Sequence, residues 1–202
     1  MANFSTYLPL LQQVEGGFQK IPQDPGNYNS RKELVGTNYG ISARFYEGII
    51  GRPPTEADMR AITKGQAEKI FLDHFWNKVK ANQIVDQAMA NTIVDHQVNA
   101  GDGVRLAQRV LNSSFGFNMP VDNGMGPITL GALNSVNPAR FVTLYNEARA
   151  AHYRSIGNAA FLNGWLIRLS KFAVEYQKPI SLITVVVIAA AGYFVYHHTL
   201  KA

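Results

Sequence analysis

The chain has 202 residues, 47% of them hydrophobic, enough for one compact core or two small ones. It contains no cysteine, which excludes disulfide frameworks, thiolate nucleophiles and cysteine metal sites. A formal charge of +5 suits a polyanionic partner such as nucleic acid, acidic membrane or bacterial cell wall, and equally suits simple solubility. Five histidines are scattered without an HExxH spacing, so no metal site is expected.

In chain order, residues 3–15 are expected to form the first helix. Phe4, Leu8 and Leu11 recur at helical spacing, and the next position on that stripe is Glu15. A carboxylate on an apolar face is uncommon unless paired or used, because desolvating its charge is costly. Gly16 and Gly17 follow and are expected to stop the helix. Residues 18–41 are rich in Gly, Pro, Asn and Asp, with "DPGNYNS" a clear loop signal. A segment this long without regular structure is usually functional or disordered, and 25–42 allows a short hairpin. Thr55 is expected to cap a helix with acids in its first turn, and Thr63 with Gln66 forms a capping-box pattern. The helix that follows Thr63 carries Ala67, Ile70, Phe71 and Phe75 along one side. Further helices are expected over 84–99, 103–112, 127–135, 138–157 and 160–176. No repeat is evident and strand-like alternation is scarce, so the fold class is all-α.

The two ends differ. The N-terminus shows no basic segment followed by a continuous apolar run, so no secretory signal is read there. Residues 180–196, "ISLITVVVIAAAGYFVY", carry no charge. As a helix they would cover about 26 Å, slightly less than the ~30 Å hydrocarbon core of a bilayer. Tyr193 and Tyr196 sit where an interfacial aromatic belt would be. The competing reading is a buried terminal helix. The lack of any polar face favours a single-pass C-terminal anchor over 179–198, in a host inner membrane or a virion membrane.

The opening stretch carries the chemistry. Glycosidic cleavage needs a protonated carboxyl to donate to the leaving oxygen, and a second group to position water or stabilise positive charge. Burial against apolar side chains favours the protonated form of a carboxyl, which suits Glu15 as the acid. Asp24, in a polar loop after eight intervening residues, suits the ionised partner. From spacing alone, a structural Glu15 and a turn-forming Asp24 fit equally well.

"EGGF", "DPGN" and "GTNYGIS", followed by "IFLDHFWNKV", "VDHQVNAGDG" and "YRSIGNAAFLNGWLIRL", resemble the glycoside hydrolase family 108 muramidases of the lysozyme-like superfamily. The resemblance runs through nearly all of residues 4–172. It implies hydrolysis of the β-1,4 bond between N-acetylmuramic acid and N-acetylglucosamine without a cofactor, with the glutamate of EGG, Glu15, as catalytic acid. Phage lysozymes place an Asp or Cys after eight intervening residues and a threonine after five more, whereas here Thr37 follows Asp24 after twelve, so Thr37 is either the third catalytic residue or a support for its loop. "VDNGMGPITLGALN", residues 121–134, is similar to a peptidoglycan-binding signature, and a generic helix-loop-helix would read the same way.

Tyr39, Trp76 and Asn99 are assigned to substrate binding. A tryptophan at helical spacing is more often core than ligand platform, and Trp76 is the better cleft candidate because Trp165 is expected to lock the last helix. Asp95 and Asn99, one turn apart, would line the cleft or cap the next helix, with structural use favoured. The resulting division is a lysozyme-like catalytic domain over 1–94, a peptidoglycan-binding-like helical region over 95–176 and the anchor over 179–198. Peptidoglycan and a lipid membrane are the expected partners, and no basic patch with interleaved aromatics supports nucleic acid. The expected function is an endolysin-like, phage-encoded muramidase. A lytic transglycosylase is the enzymatic alternative, and a non-catalytic wall-binding or virion membrane protein the alternative of another class. The sequence leaves the oligomeric state open.

Overall fold

A computed structural model describes residues 1–157 and 159–173. The proposed anchor at 180–196 lies outside the described residues, among which no helix is long and apolar enough to cross a membrane. The described helices are α1 (Phe4–Val14), α2 (Ala43–Ile50), α3 (Glu56–Ala61), α4 (Lys64–Phe71), α5 (Gln87–Ala100), α6 (Gly103–Phe115), α7 (Pro127–Ser135), α8 (Pro138–Ser155) and α9 (Ala159–Ala173).

Most of these helices start where a short polar side chain takes up a free N–H. Asn3, Ser42, Asp86 and Asn137 each accept a backbone N–H of the first turn. Thr55 with Asp58, and Thr63 with Gln66, close reciprocal capping boxes. α4 ends in a wider turn over Leu72–Trp76, closed by the Asn77 N–H donating to the Leu72 carbonyl at 2.9 Å.

The helix stop before the loop 18–41 differs from expectation. α1 ends at Val14, and Glu15 already has an extended backbone, with φ −98° and ψ 123°. Neither Gly16 nor Gly17 has a positive φ, so the turn is made by Glu15 itself. The expected hairpin also fails to become a strand pair. Among the described residues there are only isolated antiparallel bridges, Gln19–Thr37, Tyr28–Leu34 and Asn38–Ile41. Local side chains divert the backbone: Pro25–Asn27 coils into a helical turn, and the Asn29 side-chain oxygen accepts from the backbone N–H groups of Arg31 and Glu33.

α5 is the centre of the molecule. Every side chain from Ala88 to Gln97 is buried, and α1, α6, α8 and α9 pack around it. α6 approaches closely because Gly103 has no side chain: a Cβ there would lie 2.4 Å from the Ile93 carbonyl oxygen. Trp76, expected in the cleft, is completely buried. Its ring meets Phe4 and Tyr7 at centroid distances of 5.6 and 5.5 Å, and its N–H donates to Asn82, so no face is left for a sugar. The reason is that the turn after α4 packs on α5 and α1 covers the indole with Phe4 and Tyr7. Trp165 packs on Tyr153 at 5.5 Å, joining α9 to α8.

Candidate active site

Because Glu15 leaves the helix with an extended backbone, its carboxyl turns out of α1 toward the loop 36–41. That loop folds back through a two-residue turn at Tyr39–Gly40. Asn38 and Ile41 exchange both backbone hydrogen bonds, and both turn residues have positive φ, 45° and 73°. The side chain of buried Asn38 anchors the turn by donating to the Met59 and Ile62 carbonyls. Gly40 is pressed against the acid: a Cβ on it would lie 1.9 Å from Glu15 Oε2. Glycine is therefore required twice, for its conformation and for its contact.

On its other side Glu15 meets a cation. Arg168 of α9 places Nη1 2.7 Å from Glu15 Oε1, and each of the two side chains is only 13% exposed. The same guanidinium donates from Nε to Asp95 Oδ1 at 2.8 Å. Asp95, fully buried on α5, also receives Arg149 of α8, which reaches Thr92 and the Tyr153 hydroxyl as well. Burial works against both arginine charges. Burial is the largest single influence, but Asp95 together with Glu15 and Tyr7 at Arg168, and with Tyr153 and Tyr145 at Arg149, exceeds it, so both guanidinium pKa values lie above the ordinary value. The result is a continuous charge network, Arg149–Asp95–Arg168–Glu15, running from the core to the acid. Tyr7 lies beside it; burial first, then the Asp95 charge, pushes its phenol well above the ordinary value.

The expected apolar surroundings of Glu15 are present on one side only. A hollow of about 230 Å³ opens beside it, walled by Leu8, Leu11, Tyr39, Ala67 and Phe71 and rimmed by Gln12, Lys64 and Glu68. Gly40 borders a second hollow of about 320 Å³ lined by Phe45, His74, Phe75, Lys78 and Gln97. The Tyr39–Gly40 turn thus stands between two recesses with the carboxyl beneath it. Concave sites with a few convergent polar groups are the usual form of a ligand cleft.

Asp24 and Thr37 are joined to each other through Gln19. The backbones of Gln19 and Thr37 exchange hydrogen bonds at 2.9 Å each way. The Gln19 side chain donates to Asp24 Oδ2 at 3.0 Å and accepts from Asn27. Asp24 Oδ1 accepts the Gly26 N–H, and the Thr37 hydroxyl lies 3.4 Å from the Gly26 carbonyl it donates to. The long spacing between Asp24 and Thr37 is therefore an excursion through 25–36 that returns Thr37 to the strand-like segment after Glu15.

Tyr39 lines the hollow beside Glu15. Asn99 does not line either hollow; it is exposed in the last turn of α5, one turn beyond buried Asp95. Asp95 proves to be an ion-pair centre, and the cap position of α6 is held by Asp102. Sequence reasoning missed Arg168, Gly40 and Gln19. Arg168 interrupts the apolar run "WLIRL", which is the same anomaly that singled out Glu15.

In the loop 121–126 the polar groups are used internally. Gln108, buried on α6, donates to Asp122, the Gly124 carbonyl and Thr129, and accepts the Asn123 N–H. Hydrogen bonds from Gln108 and Gly124 hold the Asp122 carboxyl below its ordinary pKa. The signature thus builds its own turn ahead of α7.

Residues 8–101 match the family model described as Glycosyl hydrolase 108, and residues 102–170 match one described as Predicted Peptidoglycan domain. Among solved structures, SagA of Brucella abortus is similar over 88% of this chain and 98% of its own, with 24% sequence identity and a TM-score of 0.74. That likeness shows a shared fold. No curated protein matches. With a glycosyl hydrolase 108 domain carrying Glu15, followed by a peptidoglycan domain, the chain is a glycoside hydrolase of the lysozyme type.

Proposed function

We propose that the chain is an N-acetylmuramidase that cleaves the β-1,4 bond between N-acetylmuramic acid and N-acetylglucosamine in peptidoglycan, with Glu15 as proton donor. The observation that carries this reading is the placement of the Glu15 carboxyl under the Tyr39–Gly40 turn between two hollows, fixed on one oxygen by Arg168. A glycan strand lying across the turn would present its bridging oxygen to that carboxyl, with Tyr39 against a sugar ring. Asp24, whose oxygens are oriented by Gln19 and Gly26, serves to position water or to face the developing positive charge, and Thr37 supports it through the Gln19 pairing. Residues 102–170 hold the same polymer.

Mass spectrometry of digested, purified peptidoglycan tests this. Reducing N-acetylmuramic ends released by the native chain, and not by a folded Glu15→Gln variant, are expected. Anhydro-muramic ends would make it a lytic transglycosylase, and binding without cleavage would make it a wall-binding protein.

Residues 180–196 add a second element to the proposal: they hold the enzyme on a lipid bilayer, in keeping with a phage-encoded enzyme of lysis or wall penetration. Their freedom from charge supports this. Flotation with liposomes after an alkaline carbonate wash tests it, and protein left at the bottom of the gradient would refute it.

A further inference from the structure

Outside the cleft, side chains from α5, the start of α6 and α8 converge at the junction of these helices. These are His96, Asp102 and His152, and a ligand atom from each lies within 4.8 Å of the other two. His96 is buried, whereas Asp102 and His152 are half-buried, which leaves a path from solvent.

Two features set this cluster apart. His96 Nε2 and Asp102 Oδ1 face each other at 3.2 Å, yet both are buried polar atoms without a well-formed hydrogen bond among the described residues. Asp102 also stands at the cap position of α6, where an aspartate normally accepts a helix N–H, and its carboxylate accepts none. It is turned toward the two imidazoles instead.

The separations match a metal's coordination shell. Tetrahedral zinc with ligands at about 2.0–2.2 Å places neighbouring ligand atoms roughly 3.3 Å apart, and the Nε2–Oδ1 pair is already at that spacing. The ligand nitrogen of His152 lies within 4.8 Å of both and is the third candidate ligand. His96 is oriented from behind by the Tyr153 hydroxyl, 3.2 Å from Nδ1, the second-shell contact that fixes a ligating imidazole. Arg149, the nearest buried cation, is already paired with Asp95.

We propose that His96, Asp102 and His152 form a binding site for a divalent transition metal of the zinc class, with a water completing four-coordination. The site clamps α8 onto the α5–α6 turn. It thereby fixes the helix whose Arg149 supports Asp95 and, through it, Arg168.

The test uses the full chain in detergent, stripped of metal and carrying His197→Ala and His198→Ala so that the adjacent terminal histidines do not contribute. Titration with cobalt(II) should give one equivalent bound, with the intense visible bands of a four-coordinate ion. Zinc should displace it, and the melting temperature should rise with metal concentration. Tyr153→Phe should weaken zinc binding by roughly 10–100-fold, and His152→Ala or Asp102→Asn, each checked by near-ultraviolet circular dichroism, by more than that. Six-coordinate weak spectra with no stoichiometric binding would overturn the proposal. So would a folded His152→Ala or Asp102→Asn chain that binds zinc as tightly as its parent.

Discussion

Replacing Gly40 by alanine should remove most of the activity while leaving the fold standing. Two costs follow from the structure. The backbone at Gly40 has φ +73°, which for an alanine costs about 1–2 kcal/mol. The new methyl would also lie 1.9 Å from Glu15 Oε2 and 2.4 Å from Cδ, so one of the two must move by about 1 Å or more. The Glu15 carboxyl is the end of a flexible side chain, whereas the Tyr39–Gly40 turn is pinned by both Asn38–Ile41 hydrogen bonds. The carboxyl should therefore yield, moving off its place under the turn and straining its 2.7 Å ion pair to Arg168. A misplacement of about 1 Å in a reacting group costs on the order of 100-fold in rate. Release of reducing ends from purified peptidoglycan should fall by about that factor. The melting temperature should fall by only a few degrees, at roughly 2–4 °C per kcal/mol for a chain of this size. Gly48→Ala is the control, since Gly48 is exposed in α2 with nothing within 4 Å of an added Cβ. It should keep full activity and gain about 0.5–1 kcal/mol. A folded Gly40→Ala enzyme working within twofold of the native rate would refute the placement of Glu15 as the reacting group.

Glu15→Gln should lower turnover by about 10²–10⁴-fold, the usual contribution of a general acid, with the thermal melt showing a folded protein. Arg168→Lys should destabilise by about 1–3 kcal/mol in urea, because an ammonium cannot reproduce the guanidinium fork that reaches Asp95 and Glu15 together; an unchanged midpoint would mean that only charge matters there. Tyr7→Phe should flatten the alkaline loss of stability. The folded phenol is held protonated well above 10, so above the unfolded pKa of about 10 the unfolded state releases a proton that the folded state keeps, and stability falls as pH rises. The Tyr7 hydroxyl is buried without a hydrogen-bond partner among the described residues, so the phenylalanine variant should be no less stable at pH 7. Parallel alkaline denaturation curves for both proteins would count against this account.

What could be read along the chain was whatever a residue settles with neighbours three or four positions away. The capping boxes at Thr55 and Thr63, the Pro127–Ser135 helix behind its glycine-rich loop, and a carboxylate ending an apolar stripe at Glu15 are all of that kind. Their energetics are local, so sequence spacing carries them. Tertiary structure decided which side chains meet across the molecule. Trp76 has the same helical spacing whether it faces a cleft or a neighbouring helix, and only the packing of α1 against it made it core. A charge on an apolar stripe announces that it must be paired, but not with what. Asp95 finds Arg149 at a separation of 54 residues and Arg168 at 73, once α8 and α9 have closed around α5. The sequence by itself therefore determined that this chain is helical, and it singled out Glu15 and the loop after it as the proposed site. The geometry that aims the acid comes from Gly40, Arg168 and the buried pairs behind them, because desolvated charges are satisfied by whatever partner the packed helices bring within reach.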